Sequence, residues 1–156
     1  MRHPAFFADT MLGKLARWLR ILGYDTAYER LIADERLVER VLAEHRWLLT
    51  RDRFLARRRA LRGRLTVLAS DHVPEQLQQL ARDIRLDLRL DATMPRCPDC
   101  NRVLEELSRE AAASRVPLHV AQSYAVFAIC PACGRIFWPG THWAAMLARL
   151  ERLRTS

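Results

Sequence analysis

Cys97-Pro-Asp-Cys100 and Cys130-Pro-Ala-Cys133 contain the only four cysteines of the chain. Two-residue spacing lets both sulfurs of one tight turn face a single ion. Two such turns supply four thiolates, enough for a closed tetrahedral zinc site. Pro98 and Pro131 inside the turns, and Gly134 after Cys133, carry matching turn chemistry. Two disulfides are the competing use of the same sulfurs. Met1-Arg-His-Pro has no apolar segment behind it, which gives no support to export, so a reducing cytoplasmic setting and a bound metal are expected. With sulfur in all four positions no ligand site stays open, so Cys97, Cys100, Cys130 and Cys133 are expected to hold structure and do no chemistry.

Reaction chemistry is therefore sought among Asp9, Asp34, Glu35, Asp52 and Asp71. Carboxylates brought together repel unless neutralised, and hard divalent cations with oxygen preference do that. Mg²⁺ or Mn²⁺ held by Asp9, Asp34 and Asp52 would activate a water and stabilise charge on a phosphodiester. Each acid also has a local competing role, because Asp favours turns and helix N-caps. Asp34 could be cap and ligand together, with Glu35 as its competitor. No glycine-rich phosphate loop and no Gly-x-Ser-x-Gly elbow is present. Ser70-Asp71-His72 is contiguous, which is not triad geometry.

These acids depend on elements that bring them together. Ala5–Ala8 reads as a short apolar strand ending at Asp9, and Met11–Leu22 has helical spacing with Gly23 as its stop. Thr26–Tyr28 is a weak second strand, and Asp34 is placed to cap a helix that turns Leu37, Val38, Val41 and Leu42 inward. Trp47–Thr50 is the clearest strand, and Phe54–Arg62 reads as a short basic helix. Leu65–Ala69 is a fourth strand, followed by a helix over Pro74–Ile84 with Pro74 in its first turn. The resulting βαβαβαβα pattern predicts an α/β fold, a parallel sheet with helices on both faces. Such sheets place sites at the carboxyl ends of their strands. Asp9, Asp52 and Asp71 follow strands, Asp34 starts a helix at the same edge, and Asp25 precedes its strand and belongs to the opposite edge. Residues 1–91 are expected to form this unit, 92–96 a linker, and 92–156 a cysteine unit. That unit has a helical stretch at Glu105–Ala113, a strand around Tyr124–Ile129 and a terminal helix over Trp143–Arg154.

The chain has 156 residues, half of them hydrophobic, and a formal charge of +8 with pI near 10.3. No apolar run approaches the ~20 residues needed to span a bilayer. Zinc with four thiolates brings the charge to about +6, so the basic excess survives. Lys14 is the only lysine among 26 basic residues. Arginine forks match phosphate oxygens bidentately. The densest group is Arg51, Arg53, Arg57, Arg58, Arg59, Arg62 and Arg64, opposed locally only by Asp52. Cluster and net charge together favour a nucleic-acid partner over a merely solvated helix face.

Four segments resemble the Mut-seven C-terminal ribonuclease family, in which a PIN-like domain precedes a zinc ribbon: Phe7–Asp25, Leu48–Arg53, Arg96–Asn101 and Cys130–Trp143. They cover nearly the whole chain in the expected order. The resemblance implies a PIN-like nuclease domain over 1–91 and a small four-cysteine zinc ribbon with a C-terminal helix over 92–156. It implies metal-dependent hydrolysis of RNA. Asp9 and Asp52 match family acids. Asp34 falls where members often carry two consecutive acids; here Ala33 precedes it and Glu35 follows. Lys14 and Arg17 share a helix face near Asp9, and Arg51, Arg53, Arg57 and Arg58 surround Asp52 in sequence. All six are candidates for RNA phosphates. Trp138, His142 and Trp143 are candidates for stacking on unpaired bases, with packing over the knuckles as the alternative for the tryptophans.

A ribonuclease acting on tRNA or another structured RNA is the first reading. A non-catalytic RNA-binding module, tRNA- or ribosome-associated, is the second, and a toxin-type nuclease held by a protein inhibitor is the third. No membrane partner is expected, and a homodimer stays open.

Overall fold

A computed structural model describes residues 4–90 and 95–155. Four short strands, β1 (Phe6–Ala8), β2 (Thr26–Tyr28), β3 (Trp47–Thr50) and β4 (Leu65–Val67), form a parallel sheet in the order β2-β1-β3-β4. The helices between them are α1 (Gly13–Ile21), α2 (Asp34–Ala43) and the single turn α3 (Arg53–Ala56), and α4 (Val73–Asp83) follows the last strand. Both sheet faces are covered, so the strands read as apolar runs rather than alternating ones. Phe6, Ala8 and Leu49 pack with Leu12, Leu15, Leu19, Leu77 and Leu80 on the α1–α4 face. Phe7 and Leu48 point the other way, onto Leu37, Val41, Leu55 and Leu61.

The connection from β1 to β2 covers one face and that from β2 to β3 the other. The strand order therefore reverses between β1 and β3, and open α/β sheets bind their ligands in the crevice outside the carboxyl ends of the strands at such a point.

A second sheet, β5 (Glu105–Leu107), β6 (Phe127–Ile129) and β7 (Ile136–Phe137), is antiparallel in chain order. Helices α5 (Arg109–Ala113) and α6 (Leu118–Ser123) lie between β5 and β6, with Ala112, Val120 and Phe127 buried together. Helix α7 (Thr141–Thr155) returns to the first sheet: Leu150 is buried in the α1–α4 core, with Leu153 against it.

The two units are joined at the amino edge of the first sheet. The backbone N–H of Arg96 donates to the Arg20 carbonyl at 2.9 Å. Buried Arg20 donates to the Thr26 carbonyl (2.9 Å) and the Pro98 carbonyl (2.7 Å). Desolvation lowers the Arg20 pKa, opposed by the charge on the Cys97 and Asp99 side chains. The Asn101 amide accepts from Thr26 N–H (3.0 Å) and donates to Asp25 (2.7 Å), which also pairs with Arg46 at 2.9 Å. Asp25 is thus a fixture of the edge away from the other acids.

Several expected boundaries move. Residues Thr10–Leu12 form a 3-10 turn before α1, because Asp9 caps that turn through Thr10 N–H at 2.7 Å. Ala33, not Asp34, occupies the α2 cap position, and Asp34 and Glu35 sit in the first turn, where the helix dipole favours them. The expected helix over Phe54–Arg62 breaks into α3 and a 3-10 turn at Arg59–Leu61; a run crowded with arginines has little apolar face to anchor it. The fourth strand stops at Val67, before Leu68 and Ala69. Glu105–Leu107 is a strand, since Ser108 caps α5 by accepting from Ala111 N–H at 3.1 Å. The strand expected from Tyr124 starts at Phe127, and Leu118–Ser123 is a helix the reading lacked. Of the expected linker, Ala92–Met94 lie outside the described residues.

Candidate functional site

The two cysteine turns are built alike. Gly134 N–H donates to the Cys130 carbonyl and Asn101 N–H to the Cys97 carbonyl, both at 2.9 Å. Cys130 N–H meets the Arg135 carbonyl as Cys97 N–H meets that of Arg102. Gly134 (φ +75°) and Asn101 (φ +63°) hold the matching left-handed position, which glycine and asparagine tolerate best. The four Sγ atoms lie within 4.8 Å of one another. Zinc–sulfur bonds near 2.3 Å put sulfurs about 3.8 Å apart in a tetrahedron, and Cys97 and Cys133 are 3.9 Å apart. Burial works against charge at Cys130, but the Cys133 and Ala132 backbone N–H groups hold its thiol down at about 7. The Cys133 thiol, then burial, pushes Cys100 up to about 12. Four convergent soft ligands with no carboxylate among them fit a structural zinc.

The carboxylates are arranged differently. Asp9 is 4 % exposed directly after β1. Its Oδ2 accepts from the buried Thr50 hydroxyl at 2.7 Å, and that same oxygen of Thr50 accepts from Asp52 N–H at 3.0 Å. Asp9 and Asp52 are therefore tied through one hydroxyl, on the two strands that border the crevice. Asp52 Oδ1 caps α3, accepting from Phe54 N–H (2.9 Å) and Leu55 N–H (3.2 Å). Asp34 is exposed at the start of α2. Glu35 is held in a two-pronged pair with Arg58, at 2.9 and 2.8 Å, and that guanidinium holds its carboxyl below the usual range. Asp71 is exposed, 3.4 Å from the imidazole of His72. Among the described residues only the cysteines form a group of three or more metal-ligating side chains within 4.8 Å.

The basic residues separate into two places. Lys14, Arg17 and His142 line a cleft of about 620 Å³ between α1, the start of α4 and α7, with Asp71 and Arg149 also on its wall. Arg17 also pairs with Asp99 of the first cysteine turn. Arg51, Arg53 and Arg57 are exposed on the other side of Asp52 and make no ion pair with a described residue, whereas Arg58 is committed to Glu35. Trp143 parts from its neighbour His142: it lines a separate apolar groove on the ribbon with Leu104, Phe127 and Trp138.

Three residues were missed by sequence reasoning. Thr50 carried a usable signal, a hydroxyl closing a strand two positions before an acid. Phe54 carried one too, an aromatic that lands among arginines. Arg149 did not, because only the return of α7 brings it to the cleft, where its guanidinium lies 5.3 Å from the Trp18 ring.

No described helix is long and apolar enough to cross a membrane. Neither curated proteins nor solved structures gave a significant match to this chain. A family model, described as the Mut7-C RNAse domain, matches residues 4–150, from just before β1 to within α7, and so spans both the acid-bearing sheet and the four cysteines. With nearly its whole length covered, the chain belongs to the Mut7-C RNAse domain family.

Proposed function

We propose that this protein is a PIN-like, divalent-metal-dependent ribonuclease of the cytoplasm, with its reaction in residues 1–91 and RNA gripped partly by residues 92–156. One observation carries the reading: Asp9 and Asp52, joined through Thr50, flank the crevice where the sheet reverses direction.

The acids suit a hard cation. Asp9 accepts one hydrogen bond on each oxygen, and Asp52 Oδ2 accepts none from the described residues, so both keep lone pairs for a metal. Asp9, Asp52 and Asp34 would hold Mg²⁺ or Mn²⁺, which when bound lowers the pKa of a water and offsets phosphate charge. Thr50 fixes the Asp9 carboxylate. The helix-capping bonds fix Asp52. Lys14 on one side, and Arg51 and Arg53 on the other, would hold phosphates on either side of the reacting one, and Arg17 would join Lys14 only after leaving Asp99. Glu35 would join only after leaving Arg58. Asp71 lies in the Lys14 cleft, where it would steer the strand rather than bind the metal.

Labelled RNA incubated with Mn²⁺, Mg²⁺ or no added metal, beside Asp9→Asn, tests the proposal. Metal-dependent cleavage lost in the variant, with RNA affinity kept, is the expected result. An equally active Asp9→Asn protein would overturn the site. A non-catalytic RNA-binding module is the second reading, favoured by Ala33 in place of an acid and by the commitment of Glu35 to Arg58. RNA binding without cleavage under every metal would establish it.

A further inference from the structure

Asp9 is held from two sides. The Thr50 hydroxyl of β3 donates to Oδ2, and Thr10 N–H donates to Oδ1, both at 2.7 Å. Thr50 is fixed by its strand. Thr10 belongs to the three-residue 3-10 turn between β1 and α1, and so short a turn, with the strained hydrogen bonds of its kind, needs support from outside.

That support comes from β2. Its last residue, Tyr28, pairs in register with Ala8, the residue before Asp9. The Tyr28 hydroxyl donates to the Thr10 carbonyl at 2.8 Å, and its ring is half-buried against the α1–α4 core. Both backbone polar groups of Thr10 are thus engaged, the N–H with Asp9 and the carbonyl with Tyr28. Any shift of the phenol passes through one residue to the carboxylate.

Gly13 shows that this contact is built in. Its φ of −59° suits any residue, and alanine is the better helix former at the head of α1. Neither backbone conformation nor helix propensity calls for glycine. Space does: a Cβ at Gly13 would lie 3.0 Å from the Tyr28 oxygen and 3.2 Å from its Cζ, closer than a ring can stay without moving. The missing side chain leaves the phenol room to reach the Thr10 carbonyl. A proton-donating role for Tyr28 fits less well, because its hydroxyl proton is already committed to that carbonyl.

From this we infer that Tyr28 is a positioning residue: through Thr10 it sets Asp9 Oδ1 as Thr50 sets Oδ2, and Gly13 admits it. Tyr28 needs no contact with RNA or metal. The inference rests on the ribonuclease reading and adds a residue that acts on its first acid from another strand.

The test uses full-length, zinc-loaded protein. Tyr28→Phe keeps the ring and loses only the hydroxyl. Mn²⁺ binding, read by electron paramagnetic resonance without RNA, should weaken about tenfold. Cleavage at saturating Mn²⁺ should fall about tenfold in kcat with KM little changed. Gly13→Ala should show the same losses although it improves helix propensity, and should add little to them when combined with Tyr28→Phe. A Tyr28→Phe protein that melts lower yet binds Mn²⁺ and turns over like wild type would overturn the inference and reduce Tyr28 to a packing residue. Unchanged Mn²⁺ affinity with an altered pH profile of kcat would overturn it in favour of proton donation. A wild type that takes up no Mn²⁺ and cuts no RNA would instead sink the ribonuclease reading, and the inference with it.

Discussion

The cysteine centre and the acidic crevice each draw on residues far apart in the chain, yet they are assembled by opposite means. In the centre, two near-identical turns aim backbone N–H groups at sulfur and bring four thiols within 4.8 Å. Arg20 answers part of their charge, and four thiolates together leave the rest to a metal. In the crevice three of the candidate acids already have protein partners: Thr50 and Thr10 for Asp9, the α3 backbone for Asp52, Arg58 for Glu35. The cysteine centre is expected to need an ion for folding, whereas the acids of the crevice are already held in place by protein groups.

Zinc removal should therefore have the largest effect. Cys130→Ser, or stripping the ion, is expected to cost several kcal/mol, comparable with the whole stability of a small domain. Hydrogen exchange should show β5–β7 losing protection while β1–β4 keep theirs. Zinc-free protein that melts like the holo form would erase the contrast. Next comes Thr50→Val, which keeps shape but removes the hydroxyl shared by Asp9 and Asp52. Cleavage should fall roughly 10- to 100-fold in kcat with KM little changed, and stability by about 1–3 kcal/mol, because Asp52 N–H loses its partner. A matching loss in KM would make Thr50 a substrate contact and blur the distinction between a held carboxylate and a bound one.

The smallest effect belongs to Asp25. Burial raises its pKa, but hydrogen bonds from Arg46 and Asn101 outweigh that and leave it below the ordinary value. Its contribution to stability is then full above about pH 3.9 and is lost as pH falls through the lower native pKa. Asp25→Asn should be less stable than wild type by about 1 kcal/mol or less at neutral pH, since the group is partly exposed. The two proteins should converge as the solution is acidified. Thermal melts from pH 7 to pH 2 read that difference, which is more telling than either curve, because both proteins shed zinc as their thiols protonate.

The parallel sheet and the zinc ligands were readable in advance because their signals are local. Apolar runs such as Trp47–Thr50 need only neighbouring residues to declare themselves, and two-residue cysteine spacing fixes a turn by itself. The positions of Asp9 and Asp52 followed from strand ends. The separation of Glu35 from them did not, because it depends on Arg58, 23 positions away. The break in the basic stretch after Asp52 is not legible either, because it depends on how Leu55 and Leu61 pack beneath the sheet. His142 and Trp143 looked like a pair, but α7 begins there and turns the two toward different grooves. Such divergence is set by tertiary packing, and adjacency in sequence conceals it.

The docking of the first cysteine turn on β2 has a consequence beyond holding two units together. β2 is an outer strand of its sheet, and an outer strand offers unpaired backbone groups to any other chain. The Asn101 amide takes up one of those groups, the Thr26 N–H, and Arg20 fastens the turn in place across the strand. Loss of zinc would lift that cover from a short strand that is otherwise ready to recruit a second copy. Metal starvation would then show itself as self-association and precipitation, with the parallel sheet and its acids still in place.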